Sequence, residues 1–265
     1  MVRCDITFKR KHISLGSFPS VEMSKQAREE AATALGRRGK LADRALPPGS
    51  IMTNAATHLP GIADYDLCHV LPFEKWVCLI NFRDNGIYSR NPIYLKKDYF
   101  EYWLDPALCL KFSRDDLFYY SEHKICKRGG HLFVSEFGMQ TSLLSRYGIH
   151  SFSVAGRDYE FANNDSTDLR YSNIRIINRY RGVFRERIKG SDIFTAKIHI
   201  NGTVIVGRYK TEEEAAVAYN KAADVLAEAG FMKNYEKNYI DGLTDEEYRT
   251  LYDSVSINDV TAFLS

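Results

Sequence analysis

The stretch Tyr180-Arg181-Gly182-Val183-Phe184-Arg185-Glu186-Arg187 alternates side-chain character with the period of two that marks a β-strand. Lys189-Gly190-Ser191-Asp192 follows as a cluster of turn formers. Residues 193–200 (IFTAKIHI) alternate again and are rich in β-branched and aromatic types. Asn201-Gly202 comes next, the dipeptide best suited to the two positive φ angles of a type I′ hairpin turn, and residues 203–209 (TVIVGRY) read as the return strand. Thr211 then has the side chain of a helix N-cap, and Glu214 three residues on completes a capping box. Glu212, Glu213 and Glu214 sit where the helix dipole is positive. Ala215, Ala216, Ala218, Tyr219, Ala222, Ala223, Val225 and Leu226 make an apolar face small enough to lie close to a sheet, and Gly230 is suited to end the helix. The fold class read here is α+β: a three-stranded antiparallel sheet packed on a helix.

This segment is also basic. Residues 180–210 hold seven Lys and Arg against two acids. Alternation groups Arg185 with Arg187 and Lys197 with His199, each pair expected on a face opposite the helix-packing residues. A ribbon of two or three strands fits the major groove of duplex DNA, where arginine reads guanine edges bidentately and lysine holds phosphate. The candidate DNA-binding residues are Arg181, Arg185, Arg187, Lys189, Lys197, His199 and Arg208.

Working outward, the N-terminus echoes the pattern. Residues 5–15 read as a hairpin with Lys9, Arg10 and Lys11 at its tip, and these three join the candidate list. Gly16-Ser17-Phe18 matches Gly207-Arg208-Tyr209, and a helix is expected from about Ser20 to Leu35 with Ala27, Ala31 and Ala34 on one side. Residues 1–46 thus form a partial strand-strand-helix copy that lacks the first strand. Residues 47–61, with Pro47-Pro48-Gly49-Ser50, read as a linker. Residues 62–179 read as strand-rich, with strands expected at 76–82, 93–95, 99–104, 117–120 and 131–134. Residues 236–265 read as an acidic helical tail.

A chain of 265 residues that is 45% hydrophobic and 26% charged belongs to the folded class rather than the disordered one. No apolar run is long enough to cross a bilayer, and the N-terminus carries no charged-then-apolar leader. The expectation is an intracellular protein with no membrane partner, cytoplasmic and nucleoid-associated in a bacterial or phage setting and nuclear otherwise. Cys4, Cys68, Cys78, Cys109 and Cys126 stand singly without ligand-like spacing, so inert thiols are expected, with no metal and no cofactor. The net charge of +2 is uneven: residues 1–46 carry ten basic against five acidic side chains, and residues 241–265 carry one against six.

Residues 180–234 resemble the APETALA-type, or ethylene-response-factor, DNA-binding domain. The resemblance is carried by Tyr180-Arg181-Gly182-Val183, Phe194-Thr195-Ala196-Lys197-Ile198, Gly207-Arg208-Tyr209-Lys210-Thr211-Glu212-Glu213-Glu214-Ala215-Ala216, Ala218-Tyr219-Asn220 and Ala222-Ala223. It implies a sheet lying in the major groove, with Arg181, Arg185 and Arg187 on the first strand, Lys197 and His199 on the second and Arg208 on the third. The plant domains carry tryptophans on these strands; Asp192 and Val206 stand near two such places here.

Just upstream, Glu160-Phe161-Ala162-Asn163-Asn164-Asp165-Ser166-Thr167-Asp168-Leu169-Arg170-Tyr171-Ser172-Asn173-Ile174-Arg175 resembles the core of HNH homing endonucleases. The region 131–179 is therefore read as a ββα remnant of that core. The scaffold residues Asn163, Asp165, Asp168, Arg170, Ser172 and Asn173 match. The family's general-base histidine falls on Phe161 and its orienting asparagine on Leu169, and neither side chain can do that work. No catalytic residue is assigned, and residues 164–168 are read as a helix-capping turn. The resulting expectation is a DNA-binding regulator or accessory factor that no longer cuts. The alternatives are a metal-dependent endonuclease with an altered site, in which His150 substitutes as base from a neighbouring strand, and a protein-interaction module that meets an acidic partner.

Overall fold

The computed structural model describes residues 1–36, 65, 68–136, 138–231 and 233–264. The expected linker lies outside the described residues. The chain is mixed α+β, with several small antiparallel sheets and, among the described residues, six α-helices. It divides into two compact units: Met1–Leu143 with Asn163–Asn173, and Leu144–Ala162 with Ile174–Ser265. No described helix is long and apolar enough to cross a membrane.

The first unit opens with β1 (Val2–Phe8) and β2 (Lys11–Phe18), an antiparallel hairpin backed by α1 (Val21–Ala34). Ser20 caps the helix by accepting from the Met23 N–H. Ile6, Ile13 and Leu15 alternate inward onto Ala27, Ala31 and Ala34, all buried. Residues 76–82 belong to α2 (Phe73–Asn85), not to a strand. Trp76, Val77, Leu79, Ile80 and Phe82 are all buried, so the run is apolar on every side and its periodicity carries no sign of helix or strand. Gly86 stops it at φ 73°, with its N–H on the Phe82 carbonyl. The meander β3 (Ile93–Leu95), β4 (Tyr99–Asp105) and β5 (Leu108–Ser113) follows. Residues 117–120, expected as a strand, form α3 (Leu117–Glu122), nucleated by a 3-10 turn at Arg114–Asp116. A second meander joins β6 (Ile125–Arg128), β7 (His131–Glu136) and β8 (Met139–Ser142). Cys4 and Cys78 are buried, and burial pushes the Cys78 thiol up to about 12.

In the second unit β9 (Tyr159–Phe161) pairs with β10 (Ile174–Ile176). Then come β11 (Val183–Ile188), β12 (Ser191–His199) and β13 (Thr203–Tyr209), a three-stranded antiparallel sheet packed on α4 (Glu212–Glu228). The capping box of Thr211 and Glu214 is present. Gly230 and Phe231 donate to Ala227 and Leu226 carbonyls, which is a Schellman closure. The acidic tail forms α5 (Asp245–Ser254) and α6 (Asn258–Leu264), and Val255, Ile257 and Val260 enter the same core as α4.

Four local expectations change. The first strand begins at Val183, so Arg181 precedes it. The second begins at Ser191 because the turn is only two residues long: Lys189 and Gly190 have φ 52° and 85°, a type I′ geometry. Asn201-Gly202 is not such a turn. Neither residue has positive φ, and Ile200, Asn201 and Gly202 make a three-residue connection closed by the Ile200 N–H on the Gly202 carbonyl. No α-helix follows β9 and β10, as the expected ββα remnant requires, since the chain runs from β10 without a helix into β11. The turn at 164–168 therefore caps no α-helix.

Candidate nucleic-acid interface

The sheet register decides which way the candidate cations point. Val183 stands opposite Ala196, and both are buried against α4. Alternation from Val183 carries Arg185 and Arg187 to this same helix-side face, opposite Phe194 and Asp192. Arg185 accordingly lines a cleft beside the start of α4 with Arg179, Lys210 and Glu212. Lys197, His199 and Arg208 have the other parity and lie on the outer face, with cross-strand partners Ile205, Thr203 and Thr195. The expectation that Arg185/Arg187 and Lys197/His199 all oppose the helix is thus corrected. The pairs occupy opposite faces, because buried Val183 fixes the helix side of β11 and Arg185 and Arg187 share its parity, while Lys197 and His199 have the parity opposite to buried Ala196.

The candidate cations also differ in how they are engaged. Arg181 is half-buried, ion-paired to Glu236, with its guanidinium 4.3 Å from the Phe152 ring centre. Arg185 is ion-paired to Asp192, whose carboxyl this guanidinium holds below the usual carboxylate range. Lys197 reaches Glu186 at 3.2 Å and lies 4.8 Å from the Phe184 ring centre. Arg187, Lys189, His199 and Arg208 are exposed, and no described carboxylate lies within ion-pair distance of them. The main-chain carbonyl of His199, not its ring, receives Lys233 Nζ and the Tyr235 hydroxyl. One cation on the outer face was not singled out in the sequence: Arg157, 5.3 Å from the Phe184 ring centre. No local spacing reveals it, since Arg157 comes from a loop remote in sequence. Thr195, in the middle of β12 on the same face, is fully buried and stands between Phe184 and Arg208.

At the N-terminal hairpin tip Lys9 and Arg10 form the turn, with φ 46° and 63°. Lys9 Nζ donates to the Arg83 carbonyl at 3.1 Å, and Lys11 Nζ sits 5.0 Å from the Tyr88 ring centre and 5.8 Å from that of Phe82. These two ammonium groups are drawn onto the aromatic side chains of their own unit, while Arg10 is exposed. Lys9, Arg10 and Lys11 belong to the first unit, and the other seven candidates to the second.

The segment that resembles an HNH core is a hydrogen-bonded loop. The Asn163 side chain donates to Asp168 at 3.0 Å, and Asn173 donates to the Asp168 and Asp165 carbonyls. The Thr167 N–H and hydroxyl both reach Asp165, and Lys111 approaches it at 3.4 Å. Arg170 grips Asp168 through two nitrogens at 2.8 and 2.6 Å. Burial pulls the Asp168 carboxyl upward, but Arg170 and Asn163 outweigh it and hold the group below its ordinary value. These carboxylates are filled by internal donors and do not fit a metal-held phosphate. Phe161 stands on β9 and Leu169 is buried. His150 lies in an exposed turn, not on a strand, with its ring stacked 5.1 Å from that of Phe152. No described group of three or more His, Cys, Asp or Glu is placed to share a metal ion. Comparison with protein families, curated proteins and solved structures finds no match to the chain.

Proposed function

We propose that the chain binds double-stranded DNA through the β11–β13 sheet and its hairpin ends, in the manner of an APETALA-type domain, and does not cut it. The observation that carries this reading is the set Arg187, Lys189, His199 and Arg208, exposed on one small sheet with no carboxylate at ion-pair distance among the described residues. Arg208, Lys197 and His199 would meet base edges and phosphates from the outer face, while Arg187 and Lys189 would hold the backbone at the hairpin end. The Arg185–Asp192 pair is no obstacle. Both side chains are in contact with solvent, which screens the pair, so phosphate can replace Asp192. The grip of Arg170 on Asp168 differs, because Asp168 is 1% exposed and would be left buried and unpaired.

Fluorescence anisotropy on short labelled duplexes tests this. Arg208→Ala should weaken binding by about 1–3 kcal/mol if it reads a base, and Arg187→Ala should lower the salt slope by about one if it holds a phosphate. Asp192→Asn should tighten binding by releasing Arg185. If all three variants bind as wild type does, the sheet is not the contact surface. Supercoiled plasmid incubated with magnesium or manganese should stay intact; nicking that His150→Ala abolishes would overturn the non-cutting part of the proposal.

A further inference from the structure

The β6–β7 hairpin ends in Lys127-Arg128-Gly129-Gly130-His131. Arg128 stands directly opposite His131 and Lys127 opposite Leu132, so the ladder runs to the turn. Gly129 and Gly130 have φ 55° and 83°, the type I′ shape. Neither glycine would bring a Cβ within 4 Å of any atom, so the turn's backbone angles, not packing, ask for glycine here. All five residues are exposed. No acidic residue occurs from 123 to 135. Some other cations of the same unit are ion-paired: Lys96 with Glu101, Lys111 with Asp165, Lys124 with Glu74 and Arg170 with Asp168. Lys127, Arg128 and His131 have no such partner among the described residues.

Two other hairpin turns of this shape occur among the described residues, at Lys9-Arg10 and Lys189-Gly190. Their turn residues include Lys9, Arg10 and Lys189, and these are three of the four non-glycine residues at positive φ among the described residues. That conformation suits glycine, asparagine and aspartate, and lysine and arginine take it at a cost. At these two ends the chain places cations against backbone preference. At the glycine turn it sets them on the flanking ladder positions instead, leaving a bare end over which an extended anion can come close to the backbone.

We infer that the β6–β7 hairpin end, through Lys127 and Arg128, is a further contact for the phosphodiester backbone of duplex DNA. The inference rests on the duplex-binding reading above. An anionic membrane surface is the less suited partner, since the end carries no apolar side chain to insert.

The test is a salt titration of full-length protein on a labelled duplex, with Lys127→Ala/Arg128→Ala and Lys127→Arg/Arg128→Lys beside wild type. The alanine pair should weaken binding several-fold and lower the salt slope by about two, one per phosphate contact. The charge-keeping pair should bind as wild type does, and all three should melt together because these side chains are exposed and make no hydrogen bond or ion pair among the described residues. An alanine pair with wild-type affinity and slope overturns the inference and leaves the sheet proposal standing. Wild type that does not bind duplex at low salt overturns both. Loss of binding to phosphatidylserine vesicles with duplex binding untouched assigns the end to a membrane and also overturns it.

Discussion

At the scale of single residues, Gly182 matters most to the β11–β13 sheet. Its φ is 71°, and a Cβ there would fall 2.5 Å from both the Lys197 carbonyl and the Tyr219 ring. Gly182→Ala should destabilise the fold by at least about 1–3 kcal/mol, read as a lowered melting temperature. Sequence alone could place this glycine at the head of a strand. It could not say why glycine is required, because both obstacles come from elements that follow. Glu30 is another case: fully buried, it accepts the N–H groups of His69, Val70 and Leu71 at 2.7–3.1 Å. At the matching place on α4, Lys221 donates to the Tyr252 and Val255 carbonyls. Each helix thus ties down the chain that comes after it, through opposite charges. Asp168 gives a prediction in pH. Its folded value is depressed, so its contribution is present above the unfolded carboxylate value of about 3.9 and is lost as pH falls through the folded one. Thermal melts should therefore weaken below about pH 4, and Asp168→Asn should flatten part of that fall.

At the scale of elements, the strand-strand-helix pattern was legible twice, and the registers give it physical detail. An extra residue, Leu15, bulges just before Gly16, and Val206 bulges just before Gly207. The spacing from each glycine to its aromatic residue, its hydroxyl N-cap and a fully buried alanine is the same in Gly16, Phe18, Ser20, Ala27 as in Gly207, Tyr209, Thr211, Ala218. Where the first strand is missing, the Arg28 guanidinium takes the Asp5 carbonyl at 2.7 and 3.1 Å. Tyr219, which lies against Gly182, holds the matching helix position. Turns were less legible. Asn201-Gly202 has the better composition for a type I′ hairpin, yet Lys189-Gly190 adopts it, because cross-strand burial of Val183, Ala196, Ile198 and Val206 sets the register and the turns follow. Lys189→Asn should therefore raise stability by several tenths of a kcal/mol, seen as a higher melting temperature, while weakening duplex binding. Weaker binding without the stability gain would mean that Lys189 makes intramolecular contacts of its own. The helices α2 and α3 were read as strands for a related reason: an element buried on all sides, or one turn long, leaves no face pattern to count.

At the scale of the molecule, each unit has its own core, and the basic residues of interest are spread over both. A net charge of only +2 hides this, because acidic residues in the tail balance the sum while Val255, Ile257 and Val260 join the α4 core. The sheet, its helix and the basic character of its strands could all be read in advance. The side on which each cation stands could not, because a one-residue shift of register reverses it. Electrostatic contact with DNA has a signature that depends on none of these local assignments, since each phosphate neutralised contributes about −0.9 to the slope of log K against log salt. Anisotropy titration of full-length protein with a random labelled duplex over a range of sodium chloride concentrations measures it. Four contacts from Arg187, Lys189, Lys197 and Arg208 predict a slope of about −3.6 or steeper, reduced in Arg187→Ala/Arg208→Ala. No binding at the lowest salt, or binding with no salt slope, would contradict the central claim.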